Sequence, residues 1–149
     1  MSVIDPGLAG RSYPPGEPFA VGREQVRAFA AAVAADHPWH HDVAAARAAG
    51  YDDLVAPPTY AAVVAQRSDA RLISDPAAGI DFSRVVHGEQ SFTHHRPIVA
   101  GDELVASLHV DGVRMMGGNA MVTTRSEIST PTGEPVCTAV SMIVIRAQA

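Results

Sequence analysis

The 149-residue sequence contains a single cysteine, Cys137. One thiol cannot form an internal disulfide, so the sequence gives no reason to expect an oxidising compartment. Basic residues are also scarce. The chain has 11 Lys and Arg residues and 16 Asp and Glu residues, which gives a net charge of −5. No run of basic residues offsets that balance. The negative net charge therefore argues against a nucleic-acid-binding surface, which would need a basic face.

Long apolar runs are missing as well. No stretch approaches the roughly 20 apolar residues that a membrane helix needs. The N-terminus combines an early acid with several prolines and lacks the basic and apolar segments of a signal peptide. We therefore expect no membrane contact and a cytoplasmic location. The length and the apolar fraction of 47% suit one globular domain over residues 1–149.

Helices are predicted in the first half of the chain. Apolar residues at helical spacing predict a helix over about residues 23–35, and Pro38 should end it. Asp42 is typical of the N-cap of a short helix that ends at Gly50. A third helix, from residue 57 to about residue 67, carries small apolar side chains on all sides and is therefore predicted to be buried.

The second half of the chain is typical of β-structure. Four β-rich runs begin near residue 83 and are separated by the turn signals IVAG, GG and PTG. Their short connections predict an antiparallel meander of at least four strands. A further short strand is predicted over 18–21, after a Pro- and Gly-rich arm over 1–18 that should run along the surface. Helices followed by an antiparallel sheet predict an α+β fold in which one sheet face covers the buried helix.

The most unusual stretch is DHPWHHD, residues 36–42, which follows the first predicted helix. One interpretation is a loop with solvated histidines. Another is a zinc site, but no second pair of ligands with metal spacing and no nearby thiolate accompany these imidazoles. We therefore expect no metal here. A third interpretation, an active site, depends on the context of the loop in the rest of the chain.

Three segments carry a resemblance to a known family. They are FAAAVAADHPWHHDVAAARAAGYDDLVAPPTY, RVVHGEQSFTHHRPIVAGDEL and TGEPVCTAVSMIVIR. In this order and spacing they resemble the hot-dog-fold proteins of the MaoC-like dehydratase/hydratase superfamily. More narrowly, they are similar to the FAS1-like dehydratase branch, which includes (3R)-hydroxyacyl-ACP dehydratase subunits. The resemblance extends over essentially the whole chain.

The resemblance implies a fold, a partner and a reaction. The fold would be a curved antiparallel sheet wrapped around a central helix. The chain would act as a homodimer, or as a heterodimer with another hot-dog chain, with the site near the interface. It would interconvert (3R)-3-hydroxyacyl and trans-2-enoyl thioesters of CoA or acyl carrier protein, as part of fatty-acid-type metabolism. The family uses no metal and no organic cofactor.

The catalytic motif of the family matches only in part. Aligned on Pro38, the motif places His40 at the catalytic histidine, which works with an aspartate as base and acid. That aspartate should lie five residues earlier, where this chain has Ala35. Asp36 is one place off, and His41 lies five residues after it. Either Asp36 forms a displaced pair with His40 or His41, or the acid is missing and the protein alone is weak or inactive.

The substrate-binding residues also depart from the family. Active hydratases bind the thioester oxygen with a glycine amide at the start of the central helix, but here the stretch reads APPT, and proline has no N–H. The resemblance then assigns Pro58, Thr59 and Tyr60 to the substrate site. The amides of Thr59 and Tyr60 would be the first free ones at a helix N-terminus that can bind an anion, and the Thr59 hydroxyl can help.

A further candidate lies on the first long strand. Strand alternation places His87 and Glu89 on one face and Gln90 and Phe92 on the other. Gln90 is therefore a candidate for lining the substrate pocket. A polar cross-strand pair is the alternative.

Two other functions stay open. Ala35 and the APPT stretch resemble non-catalytic subunits, which hold the acyl chain and pair with a catalytic hot-dog chain. A hot-dog thioesterase would instead use an acidic residue on or near the central helix to activate water. That helix carries no acid until Asp69, near its predicted end.

Overall fold

The computed structural model describes residues 4–148, which form three α-helices and six β-strands. Short 3-10 turns at Pro38–His40 and Pro58–Tyr60 lead into the second and third helices. No helix among these residues is long and apolar enough to cross a membrane. The elements are α1 (Arg23–Ala32), α2 (Val43–Ala48), α3 (Ala61–Ile73), β1 (Ser12–Tyr13), β2 (Phe19–Ala20), β3 (Val85–His94), β4 (Glu103–Met116), β5 (Asn119–Ser129) and β6 (Pro135–Ile145).

All the strands pair antiparallel in one sheet of order β1-β4-β5-β6-β3, and β2 pairs with the start of β4. Consecutive hairpins join β4, β5 and β6 as predicted, but the simple meander is wrong for β3, which pairs with β6. The connection from β3 to β4 closes no hairpin because its backbone bonds to the segment before α3. There Ala56 N–H donates to the Ile98 carbonyl and Ala100 N–H to the Leu54 carbonyl, each at 2.8 Å.

The core lies between α3 and one face of the sheet. Burial alternates along β5 and β6, so every second side chain points toward the helix. From α3, Val64, Ala65 and Leu72 are buried against that face. Each fully buried Val or Leu side chain contributes about 1.5–3 kcal/mol relative to exposure. The predicted α+β arrangement, with a sheet face covering a buried helix, is confirmed.

The helix boundaries differ from the predicted ones for local reasons. α1 ends at Ala32 because Ala34 takes a φ of 56°, in the left-handed region. α3 begins after the 3-10 turn and continues to Ile73, six residues past its predicted end. α2 matches its prediction, since the Asp42 side chain accepts the Ala44 N–H at 2.9 Å.

The described part of the N-terminal arm runs along the surface as predicted, because most of its residues are exposed, but it is anchored there. Leu8 is 0% exposed, and Gly10 N–H donates to the Val110 carbonyl at 2.8 Å. β1 then pairs with β4. Buried aliphatic side chains therefore fix this segment to the rest of the protein, although its prolines and glycines are typical of a loop. Residues 1–3 of the predicted arm lie outside the described residues.

A β-bulge in β3 changes which side chains face the helix. The register against β6 shifts between His87 and Glu89, so Gly88 is the extra residue. His87 and Gln90 consequently pair with Ile143 and Ser141, both of which lie on the buried face of β6. The prediction that His87 and Gln90 lie on opposite faces is wrong, because the bulge resets the alternation.

Candidate active-site groove

The histidine-rich loop is held firmly between α1 and α2. Pro38 starts the 3-10 turn, and the His37 ring nitrogen Nδ1 accepts the Trp39 N–H at 3.3 Å. The Trp39 carbonyl accepts the Val55 N–H at 2.9 Å, which ties the loop to the segment before α3. The loop therefore has a defined shape that fixes its side chains.

Each loop histidine has one ring nitrogen without a hydrogen bond from residues 4–148, and His40 is the one at the motif position of the catalytic histidine. Its Nδ1 lies 2.6 Å from the Val55 carbonyl oxygen. A carbonyl can only accept, so Nδ1 carries the hydrogen and the lone pair of the neutral ring is on Nε2. The ring is half-buried, and no residue from 4 to 148 hydrogen-bonds to Nε2. This nitrogen can take or give a proton.

His40 lines a groove of about 620 Å³. One wall is the loop, another is the segment that enters α3, and the third is the start of the β3–β4 connection. The indole of Trp39 and the ring of Tyr51 pack edge to face with centroids 5.1 Å apart. The groove is lined by His37, Trp39, His40, Tyr51, Val55, Ala56, Pro58, His94, His95, Arg96, Pro97 and Ile98.

The structure does not bring Asp36 together with either predicted partner. Asp36 is exposed, while His40 Nδ1 is bonded to Val55 and His41 Nε2 lies 2.8 Å from the Ala35 carbonyl. Among the described residues no carboxylate hydrogen-bonds to His40 or His41. The groove therefore offers an imidazole without the carboxylate that the family motif places beside it.

At the start of α3 one amide is free. Tyr60 N–H donates to the Pro57 carbonyl at 2.9 Å, and its ring is buried in the core, so Tyr60 has no amide left for a ligand. Thr59 is exposed, and within residues 4–148 its N–H has no acceptor. His94 Nε2 lies 2.8 Å from the Pro58 carbonyl and holds this turn against β3. The helix start thus presents the Thr59 amide and hydroxyl.

Gln90 lies outside this groove. Its Nε2 donates to the Val140 carbonyl at 3.1 Å, and its side chain lines a second groove beside Asp69. In the described part of the chain no group of three or more His, Cys, Asp or Glu side chains is arranged to hold a metal ion.

Sequence reasoning missed Tyr51, His94 and Arg96 as parts of the groove. Arg96 has the clearest structural role, because its guanidinium makes two hydrogen bonds to Asp102, at 2.9 and 3.1 Å. The signal for it was present in the RPIVAGD turn, where an arginine and an aspartate flank the β3–β4 connection. No sequence signal singled out Tyr51 or His94.

Comparisons with known proteins agree with this architecture. Residues 8–139 match the family described as the FAS1-like dehydratase domain region. A UPF0336 protein of Saccharopolyspora erythraea is 49% identical over 146 residues, covering 98% of this chain and 94% of that protein.

Two solved structures share the fold. One is the C-terminally truncated HadBC complex, a (3R)-hydroxyacyl-ACP dehydratase from Mycobacterium tuberculosis, with a TM-score of 0.83 and 34% identity over 92% of this chain and 96% of that one. The other is a MaoC-like dehydratase with a TM-score of 0.85 and 35% identity, over 94% of this chain and 42% of that longer one. The predicted hot-dog fold is thereby confirmed. The chain belongs to the FAS1-like dehydratase family, within the MaoC-like hot-dog superfamily.

Proposed function

We propose that this chain is one subunit of a (3R)-3-hydroxyacyl-thioester dehydratase, which also works in reverse as a trans-2-enoyl hydratase, and that it acts in a pair of hot-dog chains. The observation that carries the proposal is His40. Val55 fixes its ring so that a free Nε2 serves the same groove as Pro58, the residue that precedes Thr59 and its free amide in the chain. The similarity to HadBC, itself a dehydratase complex, supports the pairing.

The reaction needs three groups. A base takes the proton from C2 of the hydroxyacyl thioester, a hydrogen-bond donor stabilises the enolate-like oxygen, and an acid protonates the hydroxyl that leaves C3 as water. His40 Nε2 is the base and the Thr59 N–H is the donor. The groove of this chain presents no carboxylate to His40, so the acid comes from the second chain of the pair.

A second candidate function is a non-catalytic subunit that holds the acyl chain for a complete site on its partner. The specific observation in its favour is the exposed Asp36, which contacts neither histidine, together with Ala35 at the motif position. In that case the groove binds substrate, and His40 hydrogen-bonds to it without taking its proton.

The test is hydration of crotonyl-CoA and of a longer trans-2-enoyl-CoA, followed as the loss of the enoyl-thioester absorbance. The purified chain is assayed alone and with a co-expressed hot-dog chain that carries the complete aspartate, Asn-Pro and histidine motif. His40→Ala is compared with His109→Ala, which removes a histidine of β4 that does not line the groove.

If His40 is the base, His40→Ala lowers the rate by about 10²–10⁴-fold while His109→Ala leaves it nearly unchanged. If the pair is active and both variants retain full activity, the non-catalytic function is correct. Absence of both turnover and enoyl-CoA binding, in every combination, would contradict both candidates.

A further inference from the structure

A second groove, of about 640 Å³, lies at the other end of the α3–β3 face. Its lining is largely apolar but includes six polar side chains, of which Asp69, His87 and Gln90 are termed its floor. Neither catalysis nor the thioester site described above uses any of them. The residues that matter here are Ile73, Phe82 and Ile143 on the walls, and Asp69, His87 and Gln90 on the floor.

Asp69 is the unusual member of this group. It is only 9% exposed, and one carboxyl oxygen, Oδ1, accepts the Thr124 hydroxyl at 3.0 Å. No residue in the described range donates to Oδ2. Burial raises the pKa of Asp69 above its ordinary value. The residue is largely buried, but Oδ2 stays accessible from the groove and has no protein donor, so a ligand in the groove can hydrogen-bond to it.

His87 and Gln90 complete the floor because the bulge at Gly88 turns both toward α3. His87 Nε2 lies 3.0 Å from the Ser141 hydroxyl oxygen, and Gln90 Nε2 donates to the Val140 carbonyl. These bonds orient both side chains and leave His87 Nδ1 and the Gln90 carbonyl oxygen open. The floor is therefore a built polar site within an apolar groove.

The two grooves share one face of the protein. Asp69 follows Thr59 by ten positions along α3, which corresponds to about 15 Å at the rise of a helix. Gln90 and His94 are four positions apart on β3, or about 13 Å. Phe92 lies between them on the same face. With C–C bonds of about 1.5 Å, an apolar chain needs at least about ten bonds to span that distance.

We propose that Asp69, assisted by His87 and Gln90, is a specificity site for an acyl chain that carries a hydroxyl group near its far end. This inference rests on the proposed function, because the chain in question belongs to the thioester that binds beside Thr59. A hydroxyl group both donates and accepts a hydrogen bond. It therefore satisfies Oδ2 of Asp69 whether the carboxyl is ionised or protonated.

The experiment compares binding of dodecanoyl-CoA and 12-hydroxydodecanoyl-CoA to the full chain by titration calorimetry. We expect the hydroxylated chain to bind about tenfold more tightly. Asp69→Leu should abolish that preference and bind dodecanoyl-CoA at least as tightly as the unchanged protein. Asp69→Asn, which keeps a hydrogen-bonding side chain, should retain part of the preference and covers the case in which the leucine variant does not fold. The control is Asp52→Asn at an exposed site.

The outcomes separate the two proposals. If both thioesters bind with equal affinity, or if the preference survives in Asp69→Leu, the specificity site is wrong while acyl-thioester binding stands. If neither thioester binds, to the chain alone or to its pair with the co-expressed hot-dog chain, the proposed function fails and the inference fails with it. If the unchanged protein prefers the hydroxylated thioester and only the Asp69 variants alter that preference, both the proposed function and the specificity site are supported.

Discussion

The turn between β3 and β4 is stabilised by one partly buried ion pair, and we expect its removal to be costly. Arg96 makes two hydrogen bonds to the Asp102 carboxylate, and Asp102 Oδ2 also accepts the Val99 N–H at 2.9 Å. The side chains of Arg96 and Asp102 are 27% and 13% exposed. The same guanidinium also contacts Glu134, whose side chain is 56% exposed.

The change Asp102→Ala removes three hydrogen bonds and leaves a partly buried guanidinium and a backbone N–H without this partner. Hydrogen bonds to charged groups are worth about 1.5–3 kcal/mol each, but partial exposure reduces that value. Because truncation of one partner in a buried pair typically costs about 3–5 kcal/mol, we expect about 2–4 kcal/mol here. For a chain of this length that corresponds to a fall in Tm of about 5–12 °C.

The free energy of unfolding is measured by urea denaturation, and the m-value should stay unchanged. Glu134→Ala is the matched control, because it removes the exposed carboxylate from the same guanidinium and should cost less than about 1 kcal/mol. A double-mutant cycle with Arg96→Ala should give a coupling energy of at least about 1 kcal/mol. Equal losses from Asp102→Ala and Glu134→Ala, or a coupling near zero, would refute the reasoning.

Three further predictions concern stability and accessibility. Burial raises the pKa of Asp69 above 3.8, so the folded state holds this proton more tightly than the unfolded state. Native stability should therefore fall as pH rises from 3.8 through the raised pKa. The stability of Asp69→Asn relative to the unchanged protein should rise over the same pH range in urea unfolding. A constant difference would contradict this. Burial raises the pKa of Cys137 to about 11, so a thiol reagent should modify it at neutral pH only on unfolding, and rapid labelling of native protein would disagree. Asp42→Ala removes the cap on the Ala44 N–H and should cost about 1 kcal/mol in thermal unfolding, whereas Asp52→Ala should be nearly neutral.

Local signals predicted the elements well because each depends on a few neighbouring residues. Asp42 caps α2 as its position indicated, and the turn signals between β-rich runs located β5 and β6. The pairing of β3 with β6 was not predictable from connection length. The pairing depends on backbone hydrogen bonds between the β3–β4 connection and residues far away in the sequence. One example is the Leu54 carbonyl, which accepts the Ala100 N–H.

The candidate site was predictable only as far as the loop. The motif spacing pointed to His40, which lines the groove, but it could not tell where Asp36 would lie. The backbone reverses at Ala34, whose φ is 56°, and the His41 ring then bonds back to the Ala35 carbonyl. Such a turn separates residues that sequence spacing alone places together.

Asp69 lies just past the predicted helix end at about residue 67, and the sequence singled it out only as the acid that a thioesterase would need. The sheet shows why the helix continues. Thr124 and Ser126 occupy inward positions on β5, and buried polar groups there need polar partners. The Ser126 hydroxyl oxygen lies 2.7 Å from that of Ser68, and the Thr124 hydroxyl donates to Asp69 Oδ1 at 3.0 Å. A carboxyl group has more acceptor capacity than one hydroxyl uses, so the pairing that extends α3 over the sheet also leaves Oδ2 of Asp69 available in the second groove.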